Sequence, residues 1–127
     1  MTIISVSLSD EYTDYLDSIQ EAYGLKGRSE AIRTSISAAM GEIKELGSMT
    51  GTVEGVLIIV RGNHADPWMI QIQGKYQGCI KTQMHSHLMD QKCLEVMVLS
   101  CDAEVLKEML SDIKAQGKAD YVKFVRG

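Results

Sequence analysis

No apolar run in these 127 residues approaches the roughly 20 that cross a bilayer, so a membrane-spanning protein is not expected. The opening stretch M-T-I-I-S-V-S-L-S-D-E has no basic region, no long apolar core and no cleavage site, so it does not read as an export signal. Cysteine is sparse and odd in number: Cys79, Cys93 and Cys101. Such a set makes a poor disulfide framework and points to a reducing, cytoplasmic setting with thiols available as ligands. Positive charge is in deficit, with 13 Lys and Arg against 17 Asp and Glu and a net charge of -4. That argues against non-specific binding of nucleic acid, which rests mostly on Lys and Arg. There is no nucleophile–base pair, no phosphate loop and no pair of carboxylates in a shared cleft, so an enzyme is not expected. What is present is ordinary for a folded chain: 45% hydrophobic and 24% charged residues. The length allows one domain, or two small ones that lean on partners for burial.

Residues 2–8, T-I-I-S-V-S-L, alternate. Ile4, Val6 and Leu8 share one face; Ser5 and Ser7 point to the other, beside Ile3. This predicts a strand with no hairpin partner nearby, because helices follow it. The cheapest way to pair its backbone is with the same strand of a second copy. Ser9 reads as an N-cap, with Asp10 and Glu11 in the first helical turn. Tyr12, Leu16, Ile19 and Tyr23 recur at helical spacing, and Gly24 ends the helix. A second amphipathic helix runs to about Leu46. Strand, helix, turn and helix in under fifty residues cannot bury a core alone, whereas two copies sharing a ribbon can.

The stretches I-S-V-S-L-S-D-E-Y, L-D-S-I and G-R-S-E-A-I-R (residues 27–33) resemble the ribbon-helix-helix family. The resemblance implies that paired strands enter the major groove of a double-stranded DNA operator, with Ile3, Ser5 and Ser7 toward the base edges. Arg28 and Ser29, at the start of the second helix, would hold a phosphate with free N–H groups, and Arg33 would add a phosphate contact. The acids of this region fall largely on the first helix. The alternative is a dimerisation module that does not bind DNA.

Gly47, Ser48, Met49, Thr50 and Gly51 read as a connector. The expected division is 1–46, a linker at 47–52, and 53–127. The second part reads as strand (53–60), helix (66–76), strand (78–88), strand (93–100), helix (102–116) and strand (121–126). Pro67 is expected at the first helical position, Asp102 as an N-cap and Gly117 as a stop. The fold class is therefore α+β: a ribbon-helix-helix unit followed by a ferredoxin-like βαββαβ, ACT-like, domain. Its sheet would carry helices on one face and leave the other available to another subunit.

Within it, M-H-S-H-L-M-D-Q-K-C places His85 and His87 two apart and Cys93 a short turn later. Strand alternation puts Cys79, Lys81, Gln83, His85 and His87 on one face. Two imidazoles and a thiolate suit nickel, copper, zinc or cobalt and suit magnesium or calcium poorly. The plainer reading is a polar strand face beside a buried thiol.

The two halves together resemble the nickel-responsive transcriptional regulators of the NikR family. The resemblance rests on I-Q-G-K-Y at 72–76, M-H-S-H at 84–87 and C-L-E-V-M-V-L at 93–99. It implies metal-responsive operator binding, nickel as the ion with copper, cobalt or zinc as alternatives, and His85, His87 and Cys93 as ligands. It also implies dimers formed through residues 2–8 that pair into a tetramer through the C-terminal domains. The family's fourth ligand is a histidine from a neighbouring subunit, and this chain has Gly74 at that place. His64 and Cys79 are the weak candidates to replace it. The competing expectation is a regulator that senses a small organic ligand or has lost its metal response.

Overall fold

The computed structural model describes residues 1–62 and 65–127. The chain divides into two compact units, Met1–Gly47 and Ser48–Gly127.

The first unit holds two helices, α1 (Asp10–Ala22) and α2 (Arg28–Gly47). Ser9 caps α1, its hydroxyl accepting from Tyr12 N–H at 3.3 Å. Past its end, Leu25 N–H reaches back to Gln20 C=O at 2.9 Å. Gly24 takes φ +63, which a side chain would resist. Glu30 reaches back to Lys26 N–H at 2.9 Å and closes the start of α2. Residues 1–9 have no strand partner among the described residues, and Ile4, Val6 and Leu8 are exposed. Ala31 is the single buried side chain of this unit. Ile36, Met40 and Ile43 of α2 also face outward. One buried methyl group is far too little apolar burial to offset the ordering of 47 residues.

The second unit runs β1 (Thr52–Arg61), α3 (Trp68–Lys75), β2 (Ile80–His87), β3 (Cys93–Asp102), α4 (Ala103–Gln116) and β4 (Ala119–Arg126). The strands form one antiparallel sheet in the order β2-β3-β1-β4. Leu57 and Ile59 of β1 and Met97 and Leu99 of β3 are fully buried with Leu106, Met109 and Ile113 of α4 and Trp68 of α3. This alternation is the expected signature of a sheet with one covered face. Asp102 leaves β3 and caps α4 at once, accepting from Glu104 N–H at 3.0 Å, and Gly117 stops α4 at φ +66. Gly55 is needed for close approach: a Cβ there would lie 2.3 Å from Val125 O and 2.6 Å from the Phe124 ring.

Two local expectations are corrected. Pro67 is the N-cap of α3 rather than its first residue, and the Asp66 carboxylate takes the Trp68 N–H at 3.1 Å. Lys118 beside that carboxyl holds it below the usual range. The β2–β3 register slips between Ile80 and Thr82. The slip breaks strict alternation, and Cys79 falls outside β2. It lies in a 3-10 turn before β2, with Cys101 as its thiol neighbour.

The other sheet face carries Val56, Ile58 and Val60 of β1 against Val98, Val96 and Leu94 of β3. None of these six is buried, and Val98 is 42% exposed. No helix among the described residues is long and apolar enough to cross a membrane.

Candidate metal centre

The centre is built on the β2–β3 hairpin. Asp90 and Gln91 take φ values of 58 and 59, and Lys92 N–H bonds to Met89 C=O at 3.3 Å. Two consecutive positive φ values make the tight hairpin turn whose twist matches that of antiparallel strands. Leu88 N–H to Lys92 C=O, at 2.7 Å, closes the ladder above it. The register then sets His87 opposite Cys93 and His85 opposite Glu95.

His85, His87 and Cys93 converge as the sequence expects. Their ligand atoms all lie within 4.8 Å of one another. Cys93 Sγ is 3.8 Å from His87 Nδ1, and the two imidazole rings are 5.0 Å apart. Donors sharing one ion at about 2.0–2.3 Å are separated by at most ~4.5 Å. The three donors are thus close enough to be drawn onto a single ion by a modest closure of the hairpin. Cys93 is buried, while both histidines are exposed at the sheet edge. A site with a buried thiolate and an open imidazole side has room for a donor from outside the chain.

Two residues of this region were not anticipated as participants. Glu95 Oε1 is 2.8 Å from His85 Nδ1 and 3.0 Å from Arg61 Nη2. A signal for them existed. Glu95 shares the buried parity of Cys93, Met97 and Leu99, and Arg61 shares that of Leu57 and Ile59. A charge at a core position calls for a partner.

Gly74 lies in the last turn of α3, and a Cβ there would meet nothing within 4 Å. It borders an open groove with Ile70, Gln73, Gln77 and Gln83. α3 is tied to α4 by Lys75, 2.8 Å from Asp112, and by the Tyr76 hydroxyl on the same carboxylate. That lysine and hydroxyl hold the Asp112 carboxyl below its usual range, while burial and Asp112 push Tyr76 up to about 12. Of the candidates for a fourth donor, His64 lies outside the described residues, and Cys79 is buried beside Cys101.

The residues expected at DNA lie in the first unit. Ile3 is 91% exposed, and Ser5, Ser7, Ser29 and Arg33 are exposed as well. Arg28 is engaged: its Nε and Nη2 meet the two oxygens of Asp17 at 2.9 and 3.0 Å. The pairing raises the arginine's pKa and lowers the carboxylate's. A phosphate would have to compete with Asp17 for it.

The fold and the cluster define a class: a two-helix unit followed by a βαββαβ domain with a nitrogen–sulfur donor set at its hairpin. Residues 55–126 match the family described as the NikR C-terminal nickel-binding domain. The chain is 33% identical over 124 residues to a protein of Methanococcoides burtonii, covering 94% of this chain and 88% of that one. It is 31% identical over 126 residues to one of Methanococcus aeolicus, covering 97% and 89%. Each of these relatives carries the name "Putative nickel-responsive regulator". The chain belongs to the NikR family. It is a nickel-responsive transcriptional regulator with a C-terminal nickel-binding domain, and not an enzyme.

Proposed function

We propose that His85, His87 and Cys93 hold nickel and that occupancy of this centre controls binding to a double-stranded operator. The observation that carries the reading is the convergence of two imidazoles and one thiol on adjacent strands. Copper, cobalt and zinc suit the same donors, so the ion is chosen by geometry and supply as well as by softness. When bound, nickel supplies a cross-link between β2 and β3. Cys93 gives up its proton on ligation, so metal uptake is pH-dependent. The short turn at 89–92 holds His87 and Cys93 face to face before any ion arrives.

Assembly follows from what each unit leaves open. The first unit, with Ala31 its only buried side chain, is completed by a second copy through residues 2–8. Ile4, Val6 and Leu8 line a groove of about 350 Å³ with Leu16 and Ile32, which supports burial of that strand against a partner. In the paired ribbon Ile3, Ser5 and Ser7 face the major groove, while Ser29, Arg33 and, after exchange with Asp17, Arg28 meet phosphates. The open apolar face of the C-terminal sheet supports pairing of two dimers into a tetramer. Residues 1–46 thus form the DNA-binding and dimerisation domain, 47–52 the linker, and 53–127 the sensing and tetramerisation domain, acting in the cytoplasm. Coupling requires the ion and the operator to favour the same arrangement of the two ribbons. Gly74 leaves the ion's fourth position to water, a small molecule or another side chain.

The test is gel retardation of the protein's own upstream DNA with and without nickel, beside Cys93→Ala. Nickel-dependent retardation in the parent, lost in the variant, is expected. Equal retardation in all lanes removes the sensing role.

A further inference from the structure

Two charged side chains lie in the core of the βαββαβ unit, and they form one linked set with His85. Arg61 is 3% exposed and Glu95 is 2% exposed. Arg61 Nη2 donates to Glu95 Oε1 at 3.0 Å, and the same oxygen is 2.8 Å from His85 Nδ1. The register explains the reach. Arg61 stands opposite Cys93 and Glu95 opposite His85, so the guanidinium crosses diagonally to the next carboxylate on β3.

Packing gives no reason for this pair. Desolvation of two buried charges offsets much of their attraction, and an apolar pair of the same volume serves stability as well or better. Arg61 Nε and Nη1 are moreover buried without a hydrogen-bond partner among the described residues, a further cost. The chemistry at His85 does give a reason. A carboxylate on Nδ1–H fixes the tautomer and leaves Nε2 with its lone pair for an ion. The same carboxylate, unrestrained, is a hard oxygen donor one hydrogen-bond length from His85. It would add the wrong kind of ligand for a soft ion. Glu95 is nevertheless not among the three side chains whose donor atoms converge.

We infer that Arg61 is a specificity-determining residue of the metal centre. By holding Glu95 in the buried pair, it reserves that carboxylate for orienting His85 and keeps it out of the ligand set. The centre then presents two nitrogens and one sulfur. The inference rests on the reading of His85, His87 and Cys93 as ligands.

The experiment compares the full chain with Glu95→Gln, Arg61→Met and the double variant carrying both. Nickel and manganese are titrated separately, and imidazole 15N shifts of His85 are recorded without metal. Arg61→Met takes the cationic partner from a buried carboxylate and risks unfolding. The double variant removes both charges while keeping an amide oxygen at 95, so Arg61 is also tested against Glu95→Gln. Loss of Arg61 in either background is expected to weaken nickel binding about 10–100-fold, as for other groups that orient a ligand. It should also move the His85 shifts from the Nδ1–H form toward a mixture of tautomers. Arg61→Met alone should gain manganese affinity, because only it frees a charged oxygen donor. Unchanged nickel affinity and unchanged His85 shifts in the folded double variant, relative to Glu95→Gln, overturn the inference. A parent that binds no nickel brings down the ligand reading and the specificity role with it. The metal-free 15N shifts then report separately whether Arg61 orients His85.

Discussion

Replacing Gly74 by histidine tests how the centre is completed. A Cβ at Gly74 meets nothing within 4 Å, so the substitution requires no movement of neighbours. Glycine inside a helix is about 1 kcal/mol worse than alanine, and histidine falls between them. The variant should therefore gain a few tenths of a kcal/mol, or about 1–3 °C in melting temperature for a domain of this size. The effect on metal should be much larger. Three side chains converge in this chain, and a four-coordinate ion has one position left. An imidazole brought there by α3 of a neighbouring copy would replace water or a small molecule. We expect nickel to bind at least about 10–100-fold tighter, the gain of a single orienting contact, or ~1.4–2.8 kcal/mol. Competition against a chelator measures the affinity, and ligand-field absorption reports the change in donors. A folded, fully assembled variant with the parent's affinity and spectrum would refute the argument. It would mean that no neighbouring α3 reaches the His85–His87–Cys93 cluster.

Val6→Asp should dissociate the N-terminal dimer and abolish operator binding. A buried valine contributes at least about 1.5 kcal/mol and occurs twice per dimer, so sedimentation should show at least ~100-fold weaker dimerisation. Val98→Asp, on the open sheet face, should reduce a tetramer to dimers with little change in melting temperature, because Val98 is 42% exposed in the single chain; an unchanged mass by light scattering would argue against that interface. Burial, aided by Cys79, pushes the Cys101 thiol up to about 12 from an ordinary value of 9.0. A raised pKa gives stability that is whole below about 9 and is lost as pH climbs toward 12. The urea midpoint of the parent should therefore fall between pH 8.5 and 10.5 (approximate bounds of that window) more steeply than that of Cys101→Ala; parallel curves would contradict it.

The order of the two N-terminal helices and of the βαββαβ elements, the caps at Ser9 and Asp102 and the stops at Gly24 and Gly117 could be read from the chain, because each is set by residues within a turn or two. The same holds for His85, His87 and Cys93. A hairpin with so short a turn brings strand neighbours together whatever the rest of the fold does. Strict alternation failed between Ile80 and Thr82, where a slip in the ladder leaves no mark in the spacing. Arg28 looked free for phosphate, yet Asp17 on the preceding helix occupies it. The Arg61–Glu95–His85 set was beyond linear reading for a further reason. Arg61 and Glu95 are 34 residues apart. Only the pairing of β1 with β3 puts them side by side, and only burial under α3 and α4 makes their charges matter. Short-range chemistry was thus determined by the sequence itself. Which charge restrains which ligand was decided by the tertiary structure, because low-dielectric contacts between distant segments exist only once the sheet is assembled.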